Sequence, residues 1–207
     1  MLFSSSVILL CICIVVGMTY ALFTDDAVVI NHLKSGDMNV TLSRTKLTST
    51  YLTNKGYLDT ITDTEELDFT DGTSQNVFGF KDTVVVPSSK YIAEMKITNN
   101  SPKATSNVAF SYWVEIIYTG ADGVELAKQI SVTVDTAESK RLNEGLVVGS
   151  ESAPIGVLGV DDSDTFTVTV EFLDLGEENN KAQGNFVTFD LVVHAVQYVG
   201  ELPAQTA

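Results

Sequence analysis

Chemistry at a metal or a nucleophile needs imidazole, thiolate or carboxylate groups at workable spacings, and this 207-residue sequence holds few of them. Its two histidines, His32 and His194, stand far apart, and neither belongs to an H-E-x-x-H zinc pattern. His194 falls in an alternating stretch beside Thr188, Asp190 and Val192, opposite the main apolar set, which predicts a surface or structural role. No G-x-S-x-G elbow is present, and no histidine-carboxylate pair is legible to activate a serine. Gly156-Val157-Leu158-Gly159 lacks a phosphate-loop lysine and reads as a turn. Asp161-Asp162-Ser163-Asp164 and Glu177-Glu178-Asn179-Asn180 have the oxygen density for weak Ca²⁺ binding but not the spacing of an EF-hand, so solvated acidic turns are the simpler reading. No cofactor and no catalytic residue are expected, and the chain reads as a non-enzyme.

The elements that would position any site begin with an export signal. Val7 to Val16 is an unbroken apolar run of signal-peptide length, too short for a comfortable membrane span. Small residues at Thr19 and Ala21 predict cleavage by a signal peptidase between Ala21 and Leu22. Met1 to Ser6 carry no Lys or Arg, which leaves an uncleaved anchor as the alternative. Cys11 and Cys13 both lie in the removable segment, so the mature chain is expected to lack thiols and disulfides. The formal charge of −15 sits wholly downstream of Ala21, which excludes a basic footprint for nucleic acid.

Downstream, the dominant signal is period-two alternation. It places Phe166, Val168, Val170 and Phe172 on one face of a strand; Met38, Val40 and Leu42 follow the same pattern, as do Tyr91, Ala93, Met95 and Ile97, and Phe189, Leu191, Val193 and Ala195. Val108 to Thr119 is apolar on both faces, with Trp113 and Ile117 opposite the main set, and reads as a central, doubly covered strand. Turn residues from Thr119 to Gly123 predict a hairpin over Val108 to Lys128. Thr48 to Ser74 and Thr136 to Ser163 read as irregular, the first with a short helix or long loop around Tyr51 to Leu67. Short strands punctuated by Gly, Asn and Asp predict one all-β domain, a jelly roll or β-sandwich with antiparallel neighbours.

Three stretches carry a family resemblance. Ala21-Leu22-Phe23-Thr24-Asp25-Asp26 leads through Asn31 to Ser35-Gly36-Asp37-Met38-Asn39-Val40-Thr41-Leu42; Tyr91 to Ser101 is a strand ending in an Asn-rich turn; and Asn180-Lys181-Ala182-Gln183-Gly184 precedes Phe189 to Gln197. In this order they resemble the TasA/camelysin family. The resemblance implies a secreted jelly-roll subunit of biofilm-matrix fibres or, in archaeal relatives, bundling pili, located in the extracellular matrix or at the cell surface. It divides the chain into a signal peptide at 1–21, an N-terminal donor strand at 22–36 and a jelly roll at 37–207. Its partner is itself, in a head-to-tail homopolymer, with the signal peptidase and an accessory assembly protein as further partners. Leu22, Phe23, Ala27, Val28, Val29 and Ile30 are the expected polymerisation residues: Phe23, Ala27 and Val29 point one way, Val28 and Ile30 the other, and one set enters the neighbouring subunit. Asp25 and Asp26 discourage indiscriminate edge pairing. The family also implies a camelysin-like surface metalloendopeptidase as the alternative, and a monomeric adhesin or spore-coat component is a further one.

Overall fold

The computed structural model describes residues 38–52, 58–69, 77–78, 86–102, 108–120, 123–182, 185 and 187–200. Two antiparallel sheets face each other across one apolar interior, and neither closes into a barrel. The larger sheet uses β1 (Val40–Leu52), β2 (Leu58–Asp63), β3 (Leu67–Asp68), β4 (Lys90–Asn99), β6 (Ile130–Val134), β7 (Lys140–Arg141) and β10 (Ser163–Phe172), in the order β2-β1-β4-β10-β6-β7 with β3 also on β1. The smaller holds β5 (Phe110–Tyr118) between β11 (Phe189–Gln197) on one side and β8 (Leu146–Val148) with β9 (Gly156–Leu158) on the other. An all-β sandwich with antiparallel neighbours is thus what alternation predicted.

The alternating residues make the interior. Tyr91, Ala93, Met95 and Ile97 from β4 and Phe166, Val168, Val170 and Phe172 from β10 are buried, and they meet Phe110, Tyr112, Val114 and Ile116 from β5. Alternate side chains of a pleated strand leave on opposite faces, so one apolar row per strand suffices. Strand β1 keeps its inward row past a register shift between Arg44 and Lys46, which lets both Leu42 and Leu47 reach the core. Arg44, on the inward row before the shift, is also buried; its guanidinium donates to Asp63 Oδ2 at 2.9 Å and to the Val77 carbonyl at 2.7 Å.

Two polar contacts pin the sheets together. The Tyr112 hydroxyl of β5 donates to Asp164 Oδ2 of β10 at 2.8 Å. Burial pushes the Tyr112 phenol far above the usual tyrosine range, and the Asp164 carboxylate adds to that shift. Gly156 lies against this pair; a Cβ there would sit 2.7 Å from Tyr112 Cε1 and 2.8 Å from Asp164 Oδ2. At one pole of the sandwich, Asn99 at the end of β4 donates through Nδ2 to the carbonyls of Val108 at 2.9 Å and Leu158 at 3.2 Å. Strand β1 starts at this pole: the Asn39 N–H donates to Ser101 Oγ and Asn100 N–H to the Asn39 carbonyl. Strand β11 ends there, with Gln197 opposite Phe110.

Four expectations need correction. The hairpin over Val108 to Lys128 does not form: β5 pairs with β11, β8 and β9, while the chain after it makes one helical turn, α1 (Val124–Ala127), and enters the other sheet as β6. Leu126 and Ala127 of that turn are buried, so the crossing itself plugs the interior. The region around Tyr51 to Leu67 holds neither helix nor long loop among its described residues, because β1 runs on to Leu52 and β2 returns antiparallel to it. Gly156 to Leu158 is a strand on β5 and not a turn. Double cover of β5 holds only in part: on the row opposite the core Ser111 is buried, whereas Ile117 is 37% exposed.

Candidate functional site: an open sheet edge and the cluster beside it

Open sheets have edges, and an edge strand carries a row of unpaired backbone donors and acceptors. Among the described residues, the larger sheet ends on β2 and on the two-residue β7, and the smaller ends on three-residue β8 and β9 and on nine-residue β11. Strand β2 is exposed along almost its whole length, and Asp59, Asp63, Glu65, Glu66 and Asp68 crowd its vicinity with negative charge. Strand β11 differs: Val192, Val193 and Ala195 are buried, and Asp190 is its single carboxylate.

The register fixes which backbone groups of β11 face away from β5. On β5, the Tyr112 carbonyl accepts the Ile155 N–H, so Tyr112 turns its polar groups toward the β9 side, while the Ala109 carbonyl accepts the Tyr198 N–H on the β11 side. Alternating residues of an antiparallel ladder bond to opposite sides. Asp190, Val192, His194 and Val196, opposite Ile117, Glu115, Trp113 and Ser111, therefore bond to β5. Leu191, Val193 and Ala195 direct N–H and C=O away from it, toward a side where no described strand pairs, while their side chains point into the sandwich.

The outward face of this sheet carries a compact cluster. His194 stacks on Trp113, with ring centroids 4.8 Å apart and planes at 8°. Its Nε2 lies 3.0 Å from Glu115 Oε2. Adjacent pairing of β5 and β11 brings these residues together across 79 positions of sequence. His194 thus occupies the face predicted for it, but the Trp113 and Glu115 partners were not anticipated. Nearby, a shallow depression of about 340 Å³ runs along β5 and β8, lined by Glu115, Ile117, Tyr118, Lys140, Glu144 and Val147 among others. Its described lining contains no histidine, serine or cysteine.

The acidic stretches considered for Ca²⁺ hold turns and contacts in place. Asp162 Oδ2 accepts the Gly159 N–H, and Asp164 is engaged with Tyr112 and the Thr165 N–H. Asn179 accepts the Leu175 N–H and donates to the Leu173 carbonyl and to Gln129 Oε1. The cleavage pair Ala21 and Leu22 and the polymerisation residues Phe23, Ala27, Val28, Val29 and Ile30 all lie outside the described residues.

These features define a two-sheet β-sandwich protein with one long, largely apolar edge strand. The chain belongs to the TasA/camelysin family: the family model described as camelysin metallo-endopeptidase matches residues 4–202, a range that takes in the segment before the sandwich as well as the sandwich itself. No curated protein matches the chain.

Membership corrects the expectation of a non-enzyme, because the family carries the description of a metallo-endopeptidase. That expectation rested on a missing local zinc motif, and folding can draw metal ligands from separate strands without one. The described residues alone do not fit a catalytic zinc. No group of three or more His, Cys, Asp or Glu among them could hold a metal ion, and the His194–Glu115 pair supplies two ligands where such sites take three.

Proposed function

We propose that this chain is a secreted subunit that polymerises head to tail into extracellular fibres, with the segment beginning at Leu22 completing a sheet of the next copy. The observation that carries this reading is the open architecture. Among the described residues neither sheet closes on itself, so each shows an edge to which an extended segment can add main-chain hydrogen bonds. The family match supports it, since the matched range joins the Leu22–Leu33 stretch to the sandwich. A head-to-tail link of this kind does not close on itself and so yields filaments. The signal peptidase acts as a partner by freeing Leu22, and an accessory assembly protein is a further partner. Removing Leu22 to Val29 tests the reading by negative-stain microscopy and light scattering. Loss of filaments is expected, and filaments of normal yield from the truncated chain would overturn it.

The family description favours a second reading, metal-dependent peptide hydrolysis at the cell surface. Casein incubated with the purified chain, with and without a chelator, tests it. Chelator-sensitive cleavage that co-purifies with the chain and returns on adding zinc assigns the activity; failure to cleave at any zinc loading removes it.

A further inference from the structure

Resting on the filament reading, we infer that the acceptor is the edge of β11 that no described strand pairs, and that it takes Leu22–Leu33 of a second copy running antiparallel. Length and charge separate this edge from the others. Strands β3, β7, β8 and β9 span two or three residues each, too few to hold a twelve-residue segment. Strand β2 is long enough but lies among Asp59, Asp63, Glu65, Glu66 and Asp68, which repel a segment carrying Asp25 and Asp26. Strand β11 offers nine residues and the outward N–H and C=O groups of Leu191, Val193 and Ala195. Phe189 and Leu191 are only partly buried against the core, so an apolar neighbour has surface to cover on the inner side.

Direction follows from charge, and the need for a second copy follows from direction. A parallel segment would lay Asp25 and Asp26 alongside the Asp190 end of β11, whereas an antiparallel one moves them toward the end that holds His194 and Gln197. Within one copy the antiparallel arrangement is out of reach. With Leu33 opposite Phe189, the chain would have to return along the whole strand to Met38, which lies at the pole where β11 ends. Nine residues of strand cover roughly 30 Å. The five steps from Leu33 to Met38 span at most about 18 Å. A second copy has no such tether.

The test uses an acceptor that cannot accept. Val193→Pro removes one outward N–H while leaving the β5 pairing intact, a substitution that edge strands tolerate. The variant is expected to keep its β-sheet circular dichroism and lose filaments. Mixed with the chain lacking Leu22 to Val29, which can accept but not donate, it should donate its intact segment and stop at one-to-one pairs, whereas wild-type chain mixed with that truncated chain should yield capped, shortened filaments. If Val193→Pro does not fold, amide exchange on wild-type filaments decides: protection gained at Leu191, Val193 and Ala195 upholds the assignment. Filaments of normal yield from folded Val193→Pro, or protection gained at β2 instead, would overturn the β11 assignment while leaving strand donation intact. Filaments from the truncated chain would instead remove the filament reading itself.

Discussion

The outward faces of the two sheets are built from different residues. On the larger sheet, Thr41, Ser43, Thr48 and Thr50 of β1, Lys90, Glu94, Lys96 and Thr98 of β4, and Thr165, Thr167, Thr169 and Glu171 of β10 form a lawn of hydroxyls and mixed charges, with Ile92 the apolar exception. On the smaller sheet the corresponding positions hold Trp113, Ile117, Val147, Val157, Val192 and Val196, broken by Ser111, Glu115, Asp190 and His194. Both sheets bury one apolar row against the shared core, so the inner faces do not distinguish them. The outer faces do: outside β2, where Leu58 and Ile61 are exposed, the larger sheet presents mostly polar side chains, while the smaller exposes Ile117 and Val147 near a β11 edge that no described strand pairs, with Val192 buried. A strand added there would extend a face that is already apolar.

Several measurements break or sharpen this contrast. Phe166→Ala attacks what the sheets share, since Phe166 is 1% exposed and lies beside Tyr112; a loss of about 3–5 kcal/mol in urea unfolding is expected, with both sheets melting together. Alkaline pH attacks the cross-sheet pin. Burial raises the phenols of Tyr112 and Tyr91 above the ordinary value, in Tyr91 against a lowering hydrogen bond from Ser89. Below the unfolded-state pKa neither state ionises, so stability is fully present there. Above pH ~10 the unfolded chain releases protons that the folded chain keeps, and stability falls by up to about 1.4 kcal/mol per tyrosine per pH unit. Urea midpoints at pH 8 and pH 11 should show the drop, and Tyr112→Phe should make it shallower.

Smaller effects compare the sheets directly. Gly156→Ala forces a methyl against Tyr112 and Asp164 and should cost about 1–3 kcal/mol, read from the shift in thermal midpoint. Trp113→Ala strips the ring beneath His194 on the smaller sheet, with an expected loss of about 1 kcal/mol. Thr169→Ala on the outer face of the larger sheet should change stability by no more than about 0.5 kcal/mol. Equal effects at Trp113 and Thr169 would erase the distinction between the faces.

Sequence reading succeeded where a strand has one wet and one dry face. Strands β4 and β10 alternate without interruption, and period two identified every inward residue from Tyr91 to Ile97 and from Phe166 to Phe172. It failed on β2, whose Leu-Asp-Thr-Ile-Thr-Asp is exposed on both faces and leaves no alternation to find. It also failed on α1, because four residues are too few to show a helical period. The His194–Glu115–Trp113 cluster was invisible for another reason: cross-strand pairing is a tertiary fact, and nothing near His194 in sequence announces residues 79 and 81 positions away. The open edge left no trace at all, since backbone N–H and C=O groups are the same in every residue but proline. Family resemblance, by contrast, was legible from short ordered stretches and agrees with the match over residues 4–202.

The same β11 residues that send Leu191, Val193 and Ala195 side chains into the interior turn their backbone groups outward. A one-residue slip of β11 on β5 would exchange the two sets at once and drive Asp190 and His194 toward the core. Display of this edge is therefore coupled to correct closure of the sandwich, and a chain caught in the wrong register fails its own quality control before it meets another molecule.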